Sequence, residues 1–301
     1  MKEDTMTLFT GSGVAIVTPF NEDYSVNFDK LHKLIDWQIS EGTDAIIICG
    51  TTGEASTMND EEHLACIRAA VEVTNKRVPV IAGTGSNDTQ HGIYLSKEAE
   101  RLGADGLLQV TPYYNKTTQR GLVAHFGAIA NSVNIPIMLY NVPSRTGMNI
   151  EASTLKELTQ FENIVALKEA SGDIGHVMNV VAELEGKLDL YSGNDDQILP
   201  LLSLGGKGVV SVVANILPKQ THDIVEHYLN CRLEESLHTQ LSLHSIITNL
   251  FSETNPIPVK EAMNMMGMEV GPCRLPLYEM APSNKALLKQ ALLDYGIEVQ
   301  E

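Results

Sequence analysis

No hydrophobic run in this 301-residue chain approaches the roughly 20 residues that a membrane-spanning helix requires. Residues 1–9 carry Lys2, Glu3 and Asp4 and lack the apolar stretch of a targeting peptide. No membrane partner is therefore expected, and a soluble, cytoplasmic chain is. Cysteine is scarce. The four present, Cys49, Cys66, Cys231 and Cys273, form neither a CxxC pair nor a disulfide framework. Four reduced thiols are expected, with Cys49 as a small core residue. Positive charge is in short supply as well. Lys and Arg number 21 against 38 Asp and Glu, giving a net charge of −17. That field repels phosphate backbones and anionic membranes, so nucleic acid is not expected as a partner. An anionic substrate would need local positive charge, which makes each cation near a site informative.

Several functional signatures are also missing. No GxGxxG follows an apolar run and no GxxxxGK[ST] occurs, which removes the common phosphate cradles. Gly172-Asp173-Ile174-Gly175 is too short a match to count. There is no GxSxG nucleophile elbow. The nine histidines are scattered, and His222 and His227 do not fit HExxH. Neither a metal nor a diffusible cofactor is expected.

What the chain does contain is a repeating alternation. Apolar runs at Val14–Val17, Ala45–Cys49, Val78–Ala82, Gly106–Val110, Ile135–Leu139, Ile164–Leu167, Leu188–Tyr191 and Gly208–Val213 predict eight strands. Their apolarity is continuous, which indicates burial on both faces, as in a parallel sheet. Helical spacing fills the gaps, for example Phe28, Leu31, Leu34 and Ile35, then Leu64, Ile67, Ala70 and Val71. Repeated βα units imply right-handed crossovers, and eight of them predict a closed (β/α)8 TIM barrel of the α/β class. An open doubly wound sheet is the alternative, but it usually has fewer strands and a Gly-rich nucleotide loop. Pro218–Asn230 reads as the last barrel helix. Beyond Arg232 only helical periodicity remains, over Leu233–Leu250, Val259–Met266 and Lys285–Leu293. The expected division is a barrel over residues 1–230 that carries the active site and a C-terminal helical extension over 231–301.

Barrels of this type place their active sites at the C-terminal ends of the strands. Lys168 ends the sixth apolar run at that face, whereas Lys207 precedes the eighth run and falls at the opposite face. A strand-end lysine can simply snorkel to water. In a dry pocket its amine instead loses proton affinity and can attack a keto carbon to form an imine. After the second run, Gly50-Thr51-Thr52-Gly53-Glu54 offers hydroxyls and backbone N–H groups. These can cradle a small carboxylate, or a threonine can cap the helix that starts near Asp60. Tyr113, Tyr114, Tyr140 and Arg145 follow the fourth and fifth runs. They are either a proton-relaying, carboxylate-binding set or rim aromatics over the barrel mouth.

Seven motifs occur together and in order: VAIVTPF from Val14, GTTGE from Gly50, GTGSN from Gly83, TPYYN from Thr111, YNVPSRTG from Tyr140, LKEASGD from Leu167 and SGND from Ser192. The set resembles the pyruvate-dependent class I aldolase family that contains dihydrodipicolinate synthase and N-acetylneuraminate lyase. The resemblance implies that Lys168 forms an imine with pyruvate and that Tyr140 is the central acid/base. It implies that Thr51 links Tyr140 to Tyr114 of a neighbouring subunit. Thr51 and Thr52 would bind the pyruvate carboxylate, Arg145 would hold the second substrate's carboxylate, and Gly193 and Val210 would line the pocket. The expected second substrate is L-aspartate 4-semialdehyde, in the diaminopimelate and lysine route, and the expected assembly is a homotetramer built as a dimer of dimers. Thr51-Thr52 and Arg145 favour this synthase over a keto-sugar-acid lyase, where Ser-Thr is typical. A catalytically silent keto-acid-binding barrel is a further alternative. The family's lysine-feedback pocket falls on Ala55, Ser56, Asp60, His63, Asn87, His91 and Tyr113. Asp60 and His91 stand where histidine and glutamate are often found, so weak or absent inhibition by lysine is expected.

Overall fold

The computed structural model describes residues 7–300. Strand β1 (Gly11–Ala15) leads into α1 (Phe28–Ser40), β2 (Ala45–Ile48) into α2 (Asp60–Thr74), β3 (Val80–Gly83) into α3 (Thr89–Leu102) and β4 (Gly106–Val110) into α4 (Gln119–Ala130). Strand β5 (Ile137–Asn141) is followed by α5 (Pro143–Thr146) and α6 (Ala152–Leu158), and β6 (Ile164–Glu169) by α7 (Ile174–Leu184). Strand β7 (Asp189–Ser192) precedes α8 (Ile198–Ser203), and β8 (Gly208–Ser211) precedes α9 (Pro218–Leu229). The eight strands close in sequence order, with β1 paired in parallel to β8. The chain is thus a (β/α)8 TIM barrel, as the alternation predicts.

The strands are apolar throughout because each one serves two cores. In β2, Ile46 and Ile48 face the layer between sheet and helices, while Ile47 joins the barrel interior. The same period of two separates Ile137 and Leu139, outside, from Met138 and Tyr140, inside. The predicted runs overshoot the hydrogen-bonded strands where burial continues into the loops. Ile16 and Val17 are fully buried but lie beyond β1, and Val213 starts a 3-10 turn beyond β8. Helix α2 is capped by Asn59, whose side chain accepts from the Glu62 N–H while Glu62 reaches back, so no threonine of the 50–54 turn is needed there.

The remainder folds as α10 (Leu233–Ser242), α11 (His244–Leu250), α12 (Ile257–Met265) and α13 (Pro282–Tyr295). The single stretch expected over Leu233–Leu250 breaks at Leu243, which caps α10 and opens α11. Leu243, Ile246, Val259, Met263, Leu288 and Leu292 share one buried cluster with residues of the outer barrel layer. Among the described residues, no helix is long and apolar enough to cross a membrane.

Candidate active site

The pleat of β5 and β6 decides which side chains meet inside the barrel. Tyr140 and Lys168 are register partners on these neighbouring strands. Tyr140 belongs to the interior cluster, and Lys168 follows Ala166 of that cluster by two positions, so both point inward. The Lys168 Nζ sits 4.1 Å from the centre of the Tyr140 ring. Only 6% of Lys168 is exposed. It does not snorkel to water.

That burial sets the amine's chemistry. Desolvation lowers the Lys168 pKa to about 7; the Asp195 carboxylate opposes the fall and the Arg145 guanidinium adds to it. Burial pushes the Tyr140 phenol the other way, above its usual value, with Arg145 and the Thr51 hydroxyl pulling against it. Asp195 is itself buried, and burial raises its carboxyl above the usual range. Its Oδ2 accepts from the backbone N–H groups of Val212 at 3.1 Å and Val213 at 2.8 Å. A neutral amine is the attacking form, so nucleophilicity is lost as pH falls through the pKa. The acid limb of kcat/KM for a keto substrate is therefore expected to bend near pH 7. Asp195→Asn removes the opposing charge and should move that bend to lower pH. A pH–rate profile from 5 to 11 checks both, and a limb near pH 10 would contradict them.

The turn after β2 is held in place by the C-terminal extension. Cys49 and Glu54, on either side of Gly50–Gly53, adopt left-handed backbone at φ 56° and 55°, a conformation that costs about 1–3 kcal/mol each and clusters at functional sites. Thr51 is exposed at the mouth, and its hydroxyl draws the Tyr140 phenol's pKa down. Thr52 is buried, and its Oγ1 accepts from the side-chain amide of Asn255 at 2.9 Å. Arg145, exposed in α5, donates to the Asn255 carbonyl at 3.0 Å. Gly193 follows β7, where a Cβ would stand 2.7 Å from the Ala170 Cβ and 3.1 Å from the Lys168 Cε. A side chain there would clash with Ala170 and crowd the lysine stem. Val210 is fully buried in the interior cluster with Tyr140.

A cavity of about 370 Å³ opens beside Tyr140, Thr51 and Arg145. Ala55, Ser56, Asp60, His63, His91 and Tyr113 line it too, so these six residues and Tyr140 share one space. Asn87 does not line it; its carbonyl instead accepts from the Asn115 side chain at 2.9 Å. His91 Nε2 meets Asp60 Oδ1 at 2.9 Å. Burial lowers the His63 pKa, and its Nε2–H donates to the Gly83 carbonyl at 2.8 Å. Tyr114 is not part of the cavity lining. It is 93% exposed, with left-handed backbone at φ 68°. Among the described residues, no group of three or more His, Cys, Asp or Glu side chains is arranged to hold a metal ion.

Residues 8–294 match the Dihydrodipicolinate synthetase family. The chain belongs to that family. A relative from Acetivibrio thermocellus, named 4-hydroxy-tetrahydrodipicolinate synthase, is 61% identical over 290 residues, covering 96% of this chain and 98% of its own. Among solved structures, a chloride-inhibited dihydrodipicolinate synthase from Acinetobacter baumannii in complex with pyruvate has a TM-score of 0.94 at 44% identity, covering 97% of this chain and 100% of that one. A dihydrodipicolinate synthase from Cyanidioschyzon merolae with lysine bound gives 0.94 at 40% identity, with the same coverage. Two residues of this dihydrodipicolinate synthetase family member escaped the sequence reading. Asp195 lies inside the SGND motif, where nothing in the sequence signals what the acid faces. Asn255 had only the flanking Pro256 and Pro258 as a sign of a fixed backbone.

Proposed function

We propose that the protein condenses pyruvate, held as an imine on Lys168, with L-aspartate 4-semialdehyde to give 4-hydroxy-tetrahydrodipicolinate. One observation carries the reading: a buried amine with a pKa of about 7, 4.1 Å from a buried tyrosine ring, beside a hydroxyl-bearing turn. The activity is the one for which the 61%-identical relative is named.

In this reading, neutral Lys168 attacks the pyruvate keto carbon and one water leaves as the imine forms. Thr51 and Thr52 bind the carboxylate through hydroxyl and backbone donors. Tyr140, with Thr51 against its phenol, moves protons as a methyl proton is lost and the enamine forms. The enamine carbon attacks the aldehyde of the second substrate, whose carboxylate pairs with Arg145. The substrate's own amine then displaces Lys168 and closes the ring, releasing the enzyme amine with no further loss of water. Gly193 and Val210 leave the space this requires. No metal or diffusible cofactor enters the sequence of steps, and a cytoplasmic barrel (1–230) with its helical extension (231–301) is part of the same reading. The substrate pair is tested by offering both sets. Product from pyruvate plus aspartate semialdehyde is expected. Cleavage of N-acetylneuraminate without that product would assign a lyase, and binding without turnover would assign a silent barrel.

Assembly follows from Tyr114. A phenol exposed at 93% in left-handed backbone suits insertion into a neighbouring subunit's site, completing the Thr51–Tyr140 relay. Leu233, Leu237 and Leu241 form an exposed apolar stripe along α10, which suits a second contact between copies and hence a dimer of dimers. Sedimentation at micromolar protein is expected to give the mass of four chains. A single-chain mass with full activity would remove Tyr114 from the mechanism.

Regulation by lysine is expected to be weak or absent. Asp60 is already engaged by His91 at 2.9 Å, and His91 places a potential cation where an effector's ammonium would seek a carboxylate. Dose–response curves at neutral pH check this, and half-inhibition at micromolar lysine would contradict it.

A further inference from the structure

The turn that carries Thr51 and Thr52 is fastened to the C-terminal extension at two points. Lys260, in α12, donates to Glu54 Oε1 at 2.9 Å, and Asn255 donates to Thr52 Oγ1 at 2.9 Å. The first contact sits deep in the molecule and touches nothing that reacts. The second reaches a residue of the carboxylate turn directly. Asn255 also receives Arg145, through its backbone carbonyl at 3.0 Å. One buried residue, 6% exposed, thereby contacts both groups assigned above to substrate carboxylates. It comes from a segment that lies outside the barrel strands and their loops.

We infer that the Asn255 side chain is a positioning group that fixes the donor direction of the Thr52 hydroxyl toward pyruvate. The inference rests on the role given to Thr52 under the proposed function. Its physical basis is the polarity of the contact. An amide nitrogen has only hydrogens to offer, so the Thr52 oxygen accepts and its own proton points elsewhere. A carboxylate bound at the turn is then met by a free O–H. An acceptor in the same place would take that proton and leave the carboxylate facing a lone pair. Arg145 gives one of its five N–H donors to the Asn255 carbonyl, which holds a long, exposed side chain in one direction and leaves the other donors for a carboxylate. The backbone beside Asn255 is tied down by Lys260, whose N–H bonds to the Pro256 carbonyl at 3.0 Å and whose ammonium bonds to Glu54 Oε1 at 2.9 Å.

The test is a double-mutant cycle in the full-length enzyme, with pyruvate varied at saturating semialdehyde and melting followed in parallel. Asn255→Ala is expected to raise KM for pyruvate about three- to tenfold, the worth of one neutral hydrogen bond, with kcat changed far less. In a Thr52→Val background the same change should add nothing, because the group it acts through is gone. Asn255→Asp keeps the shape but offers only acceptors when ionised, so it should raise KM at least as much as alanine. Should Asn255→Ala lose its fold, Asn255→Asp alone gives the same readout. Two results would overturn the inference while leaving Thr52 in its role: Thr52→Val raises KM but neither Asn255 variant does, or the two effects multiply independently. If Thr52→Val itself leaves KM for pyruvate unchanged, the role given to Thr52 fails first, and the positioning role falls with it.

Discussion

Lys168→Ala is expected to lower kcat by about a thousandfold while leaving the barrel folded, because it removes the nucleophile and spares the binding groups around it. In the proposed mechanism the residual rate comes from pyruvate and semialdehyde still gathered by Thr51, Thr52 and Arg145. Lys168→Arg should be equally inactive. A guanidinium stays protonated in the same dry setting where an ammonium gives up its proton at about pH 7. The comparison separates two accounts of the residue. If Lys168 acted only as a fixed positive charge, arginine would rescue it and the acid limb near pH 7 would be missing. Steady-state rates of both variants, with circular dichroism to confirm the fold, decide between them. Activity of Lys168→Ala above about one-tenth of the parent would contradict a covalent role.

The second large effect lies away from the chemistry. Lys260 and Glu54 form an ion pair with side chains only 2% and 0% exposed. Lys260 also donates to the carbonyls of Thr18 at 3.1 Å and Pro272 at 2.6 Å, and its ammonium stands 4.3 Å from the Phe20 ring centre. Glu54 Oε2 accepts the Arg274 N–H at 2.8 Å. Burial lowers the Lys260 pKa, and the Glu54 carboxylate opposes that fall. Removing one partner leaves the other charge buried and unpaired. Lys260→Met is therefore expected to destabilise the fold by about 3–5 kcal/mol in denaturant titrations. The exposed pair Lys156–Glu183, with side chains 52% and 43% exposed, is the control, and breaking it should cost less than about 1 kcal/mol. Adding Glu54→Gln to Lys260→Met should restore part of the loss, since the stranded charge is gone. An equal, small loss for the buried and exposed pairs would refute the assignment.

What the sequence shows and what it hides follow a physical divide. Strand count, parallel order and the inward-facing Lys168 were legible because they rest on local pattern: continuous apolar runs, helical spacing between them, and a cation closing one run. Strand ends were less so, since Ile16 and Val17 remain apolar for packing after the ladder has stopped. The contribution of the extension was illegible. Asn255 meets Thr52 across 203 positions and Lys260 meets Glu54 across 206; no periodicity announces a contact of that range. The helical tail reads as an appendage, yet it supplies a hydrogen-bond partner for Thr52 in the turn after β2. Asp195 was in plain view within its motif, but its bearing on Lys168 depends on a distance between loops that only the closed barrel sets.

The central claim is that one amine is kept neutral and within reach of pyruvate. Borohydride reduction in the presence of pyruvate, followed by peptide mass analysis, tests it most directly, because reduction freezes the imine onto the residue that formed it. The expected result is a single reduced pyruvyl adduct on the peptide containing Lys168, absent from Lys168→Ala and falling off as the reaction is run below pH 7. An adduct on Lys260 or a surface lysine, or none at all in an active enzyme, would contradict it.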